Sequence, residues 1–174
     1  DEPIRDGFSA AADVEPGGAL GGKRFQAFEV GILRVDAPDA QEALTAVAVG
    51  QEVERVFTSM GYEVIDGPHL EDDEFNFGRL NIPPDHPARD HQDTFWLSYG
   101  DNRPGKLLRT HTSSMQARTY HLVQTGKLAP PFRRVVVGKC FRYEAVDATH
   151  DNTFTQVEGF IVDHDITVAH LVGT

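Results

Sequence analysis

Residues 138–160 read "GKCFRYEAVDATHDNTFTQVEGF", and the way this stretch folds decides the rest of the chain. It consists of two extended runs separated by a polar loop. Side chains alternate between the faces of a strand, so Arg142 and Glu144 share one side of the first run. On the second run Phe154, Gln156 and Glu158 share a side, and His150 stands in the loop between. Burying such groups without partners is costly, by several kcal/mol apiece. The polar face of the hairpin is therefore either solvated or the floor of a polar site. Cys140 alternates with Arg142 and Glu144, so it either flanks that floor or serves as a small apolar filler.

Working outward, "RRVVVGKCFRYE" and "FTQVEGFIVD" pair as an antiparallel hairpin. Upstream, "HTSSMQARTYHLVQTG" (111–126) predicts a helix with Thr112 or Ser113 as its N-cap and Gly126 closing it. "LLRT" (107–110) and "DTFWLSY" (93–99) read as strands on either side of a turn. The stretch 69–92 is a turn-rich excursion anchored by Phe75 and Phe77, and loops of that length tend to be functional or disordered. "YEVIDGP" (62–68) is a short strand stopped by Gly67 and Pro68. Residues 36–61 predict a helix capped by Asp36 or Asp39 and ended by Gly61. Its Val53, Val56, Phe57 and Met60 recur at helical spacing and define a core stripe. Gly50 inside it weakens the helix by ~1 kcal/mol. "RFQAFEVGILRV" (24–35) is a strand or a hairpin, residues 1–22 resemble a linker or frayed terminus, and "DITVAHLVGT" (165–174) opens a further helix. Hairpin-linked strands with helices beside them predict an α+β fold, an antiparallel sheet flanked by helices.

The chain's 174 residues suffice for a hydrophobic core. No run of about 18 apolar residues exists to span a membrane, and the acidic, Gly/Pro-rich start is unlike a signal peptide. A single cysteine excludes an intramolecular disulfide and a multi-cysteine metal site, so the expected setting is reducing and cytoplasmic. The net charge of −11 argues against a generally basic, nucleic-acid-coating surface. Yet residues 103–142 hold nine Lys and Arg with no Asp or Glu, while the rest of the chain holds seven against 27 acids. Such a segment suits a compact anion such as a nucleotide phosphate, or it pairs with acidic neighbours.

Four stretches, in order, carry a resemblance: "GYEVIDGP", "NFGRLNIPPDHPARDHQDTFW", "LLRTHTSSMQAR" and "GKCFRYEAVDATHDNTFTQVEGFIVD". From about residue 52 to 174 the chain resembles the α (catalytic) subunit of bacterial phenylalanyl-tRNA synthetase, a class II aminoacyl-tRNA synthetase. The resemblance implies the class II catalytic fold over 43–174, with 1–42 an unassigned N-terminal segment or linker. The family's first motif, a helix and strand that build a subunit interface, is similar to 53–68. The second motif, a strand, loop and strand with Phe-Arg-x-Glu, is similar to 141–158. By resemblance Arg142 grips the ATP α-phosphate, Glu144 sits near the adenine amino group, His150 reaches the triphosphate and Phe154 stacks on adenine. His111, Ser113, Gln156 and Glu158 match positions around the bound phenylalanine, chiefly its α-amino group. Gln116 and Trp96 match positions lining that pocket. ATP with Mg²⁺, phenylalanine, tRNA(Phe) and a β subunit in an (αβ)₂ assembly are the implied substrates, cofactor and partners. The family's third motif and its phenyl-ring pocket have no match here, so the expectation is the N-terminal part of a catalytic domain.

The chemistry of these residues fits adenylate formation. A carboxylate attacks the α-phosphorus in line, with little proton transfer, so positioning and charge neutralisation dominate. A guanidinium presents several coplanar donors to such a phosphate, and a carboxylate suits a substrate ammonium. Plainer readings stand beside these. Arg142 and Glu144 could form a surface ion pair of under ~1 kcal/mol. His111 could cap the following helix, His150 could be a loop residue, and Phe75, Phe77 and Trp96 could be core. His69, His86 and His91 read as structural or solvated, since no spacing supports a metal site. The alternative function is a non-catalytic nucleotide- or amino-acid-binding module derived from a class II synthetase; a class II ligase for another amino acid is a third reading.

Overall fold

The computed structural model describes residues 12–14, 25–36, 40–90, 93–97, 105–143 and 152–173. In chain order the strands are β1 (Ala12–Val14), β2 (Phe25–Asp36), β3 (Glu63–Ile65), β4 (Leu70–Asp72), β5 (Trp96–Leu97), β6 (Lys106–Leu108), β7 (Phe132–Phe141) and β8 (Thr153–Asp163). The helices are α1 (Ala40–Ser59), α2 (Asp73–Asn76), α3 (Ser113–Gln124) and α4 (Val168–Val172). The hairpin read from 138–160 is β7 and β8, registered with Gly138 opposite Gln156 and Cys140 opposite Phe154. It forms the centre of a five-stranded sheet ordered β1-β2-β8-β7-β3. A second sheet, ordered β4-β6-β5, gathers the segments around the long excursion.

The structure adds detail to two of these readings and corrects a third. Residues 25–36, which read as a strand or a hairpin, form the single strand β2, pairing with β8 from Gln26 to Asp36 with a register shift between Glu29 and Gly31. The main sheet is antiparallel except at β3, which joins β7 in parallel. The 20-residue α1 carries the chain across the sheet and returns it in the same direction, as a parallel connection requires. Finally, Val56 is 40% exposed. The buried stripe of α1 runs through Val53, Phe57 and Met60 against Tyr62, Val135 and Val157, and Val56 is turned about 100° from Phe57.

The two faces of the central hairpin have opposite characters. Val135, Val137 and Val157 point to the α1 side and form the apolar core. Gly138, Cys140, Phe154, Gln156 and Glu158 lie on the other side, under α3 and the segment leading into it. Further along that second face, Phe160 packs edge-on against Tyr120 of α3, at 6.3 Å between centroids, and Arg134 Nη1 donates to Thr119 Oγ1 at 3.1 Å.

Gly50 has a packing reason for interrupting a helical sequence. A Cβ there would stand 3.0 Å from Val137 Cγ1. Gly50→Ala is expected to destabilise the fold by about 1 kcal/mol, although alanine is the better helix former. In urea denaturation the double variant Gly50→Ala/Val137→Ala should lose less than the sum of the single losses. A stabilised Gly50→Ala would show that helix propensity outweighs the contact.

Candidate active site

Four residues entering α3, 110–113, organise the site by alternating their partners. Asn76, fully buried in α2, holds Thr110 twice: its Nδ2 donates to Thr110 Oγ1 at 2.9 Å, and its Oδ1 accepts from the Thr110 amide at 3.2 Å. Thr110 in turn offers its carbonyl to Arg142 Nε at 3.3 Å. Thr112 and Ser113 face the sheet. The Thr112 amide donates to Gln156 Oε1 at 2.8 Å, and Thr112 Oγ1 lies 3.1 Å from that oxygen and 3.0 Å from Glu158 Oε2. Ser113 Oγ donates to Glu158 Oε2 at 2.7 Å. Gln156 and Glu158, puzzling on an apolar strand, are thus buried with partners from α3 and the residue before it.

Thr112 does occupy the N-cap position of α3, but it does not cap. Its side chain makes no capping bond because the two buried acceptors on β8 engage it. Gly126, by contrast, closes α3 as expected, with φ +70° and the Lys127 amide bonded back to the Leu122 carbonyl at 2.8 Å.

Arg142 follows β7 directly. Its amide donates to the Asn152 carbonyl at 3.0 Å, and its guanidinium sits 4.9 Å over the ring of Phe154. With Thr110 and His111 it lines a cavity of about 250 Å³, whose remaining walls are Phe77, Ile82, Ala88 and Asp93. The excursion 69–92 therefore contributes the apolar side of the site. Trp96, expected to line the same pocket, stands behind it: its indole N–H donates to the Arg89 carbonyl at 3.1 Å and its ring leans on Phe77. Gln116 is half-buried one turn further along α3, outside the hydrogen bonds just described. Cys140 is buried beside the floor, with Sγ 3.8 Å from Gln156 Oε1. Glu144 and His150 lie outside the described residues.

His111 does not cap α3. Both ring nitrogens are buried without a hydrogen-bond partner, and the ring faces the cavity edge-on to Phe77. Burial, and next the Arg142 charge, hold its pKa down to about 4. A depressed histidine pKa means that the unfolded chain binds the proton better. The stability due to neutral His111 is present above pH 6.5 and is lost as pH falls towards 4. The loss should approach about 3 kcal/mol. Urea denaturation between pH 7 and 4 should show a shallower decline for His111→Phe than for the wild type; parallel curves would rule the titration out.

Sequence reasoning missed Arg109, which ties three segments together: the end of β6, residues 67–69 and β7. It is 1% exposed; its Nε donates to the Lys139 carbonyl at 2.8 Å and its Nη1 to that of Gly67 at 3.3 Å. Its own amide and carbonyl bond to His69 and Phe141. Gly138 is the residue that leaves room for it, since a Cβ there would overlap the guanidinium. Only the glycine hinted at this arrangement.

A mixed sheet whose central hairpin carries a buried Gln and Glu, with an arginine at the strand end facing a cavity, is the arrangement of a class II tRNA synthetase core. Residues 33–174 match the family "tRNA synthetases class II core domain (F)", and the chain belongs to that family. It is 55% identical over 123 residues to the phenylalanine–tRNA ligase alpha subunit of Leptospira biflexa, covering 71% of this chain and 33% of that protein. It is 54% identical over 128 residues to the phenylalanine–tRNA ligase alpha subunit of Dehalococcoides mccartyi, covering 72% and 36%. The chain thus spans about a third of the length of these relatives. The crystal structure of pyrrolysyl-tRNA synthetase from Desulfitobacterium hafniense shares the fold, with a TM-score of 0.50 and 21% identity over 64% of this chain and 37% of that one.

Proposed function

We propose that the chain carries the amino-acid activation site of a phenylalanine–tRNA ligase catalytic subunit. The carboxylate of phenylalanine attacks the α-phosphorus of ATP, pyrophosphate leaves, and the phenylalanyl group of the adenylate then passes to tRNA(Phe). The observation that carries this reading is the placement of Arg142 and Glu158, a guanidinium and a buried carboxylate held on either side of residues 110–113. The names of its relatives support it.

In this reading Glu158, with Ser113 and Gln156 beside it, receives the substrate ammonium, and Arg142 neutralises the α-phosphate as the new bond forms. Glu144 and His150 serve the adenine and the triphosphate. Phe154 is 2% exposed and already carries the Arg142 guanidinium. Adenine stacks beside the guanidinium on that aromatic surface, and Arg142 keeps its place for the phosphate. His111, neutral at pH 7, offers the cavity one donor and one acceptor. Gln116 and Trp96 support the amino-acid end. Mg²⁺ would arrive on the ATP phosphates. Among the described residues no group of three or more His, Cys, Asp or Glu stands ready to hold it.

The expected assembly is (αβ)₂ in the cytoplasm. Leu44 and Val47 on α1, at 73% and 58% exposure, supply apolar surface that a subunit interface would cover. No helix among the described residues is long and apolar enough to cross a membrane. The test is ATP–pyrophosphate exchange with each of the twenty amino acids, run on the protein purified with its associated subunits. Exchange with phenylalanine alone is expected. Exchange with another amino acid, or with none, defeats the proposal; retained ATP or phenylalanine binding without exchange would point to a binding module.

A further inference from the structure

We infer that Thr112 is the positioning residue of the amino-acid subsite, locking Gln156 and Glu158 into one unit. The inference rests on the ligase reading above and adds a residue that it does not use. Thr112 is fully buried and its amide and hydroxyl are directed to Gln156 and Glu158, so it acts through these neighbours.

Three donors converge on two acceptors. The Thr112 amide must face an oxygen, because an amide nitrogen cannot accept; this fixes Oε1 of Gln156 towards residue 112 and turns its NH₂ the other way. Glu158 Oε2 receives Ser113 Oγ at 2.7 Å and stands 3.0 Å from Thr112 Oγ1. The Thr112 hydroxyl has one proton for two acceptors, at 3.1 and 3.0 Å. That proton bonds one acceptor at a time or is shared between them in a three-centre bond, so a rotation of either acceptor changes the bond to the other. Glutamine and glutamate would otherwise have free side-chain torsions to lose on binding substrate. The methyl of Thr112 completes the lock, since Cγ2 fills the space 3.4 Å from where a Cβ on Gly138 would sit. A serine would keep the donor and lose this contact; a valine would keep the shape and lose the donor.

The comparison uses Thr112→Val and Thr112→Ser in the protein purified with its associated subunits, by pyrophosphate exchange with phenylalanine and ATP varied separately. Thr112→Val is expected to raise the phenylalanine KM on the order of 10- to 100-fold, with the ATP KM within about twofold of wild type. Thr112→Ser is expected to restore most of the phenylalanine KM. Should Thr112→Val not fold, Thr112→Ala removes the same hydroxyl without setting a second methyl against the carboxylate. An active wild type whose Thr112→Val has an unchanged phenylalanine KM, or whose two KM values rise together, overturns the inference alone. So does a serine variant as impaired as the valine. A wild type with no phenylalanine-dependent exchange overturns the ligase reading and this inference with it.

Discussion

Arg142→Ala is expected to lower phenylalanine-dependent pyrophosphate exchange by about 10³-fold, while the melting temperature moves by only a few degrees. The side chain is half-buried at a strand end rather than in the core. Thr110, itself clamped by Asn76, holds Arg142 Nε and so sets the direction of the guanidinium. Charge builds on the α-phosphoryl oxygens as the carboxylate attacks, and a fixed guanidinium meets it without reorganisation. Arg142→Lys should recover little, because an ammonium cannot accept Thr110's orientation and present a planar fork at once. A loss of less than tenfold for Arg142→Ala, measured at saturating ATP, would remove this residue from the chemistry.

The second large effect is on stability. Glu71 on β4 has no exposed surface, and Arg118 on α3 meets it through Nε at 2.9 Å and through Nη2 as well. The same guanidinium lies 4.3 Å over the ring of Phe75, and Glu71 draws its pKa upward. Arg118→Met leaves a carboxylate buried without its counter-charge and is expected to cost about 3–5 kcal/mol. Arg118 is itself 30% exposed, so removing Glu71 instead lets the guanidinium turn towards water and should cost less. The double variant Glu71→Leu/Arg118→Met should recover much of the loss, since no charge remains buried. Equal stability of Arg118→Met and wild type in guanidinium denaturation would show that solvent reaches Glu71.

The hairpin was legible because alternation is a local property: the polar and apolar order of each strand sets which of its side chains share a face. The ends of α1 and α3 were legible for the same reason, as Gly61 and Gly126 adopt the positive φ that other residues avoid. The role of Thr112 was not. A threonine before a helix has a local use as a cap, and that use gives way only when two acceptors from a strand more than forty residues away arrive beside it.

By itself, then, the sequence determined the α+β class and the central hairpin, because periodicity and turn chemistry act over a few residues; the expected site residues came from the family resemblance. The tertiary structure alone decided that β3 joins in parallel, that residues 25–36 complete the sheet, and that Arg109 threads over Gly138. It also decided which buried polar groups satisfy one another. Those outcomes depend on segments that meet only after the chain has crossed the sheet, where close packing and the cost of an unpaired polar group select among partners that no local pattern encodes.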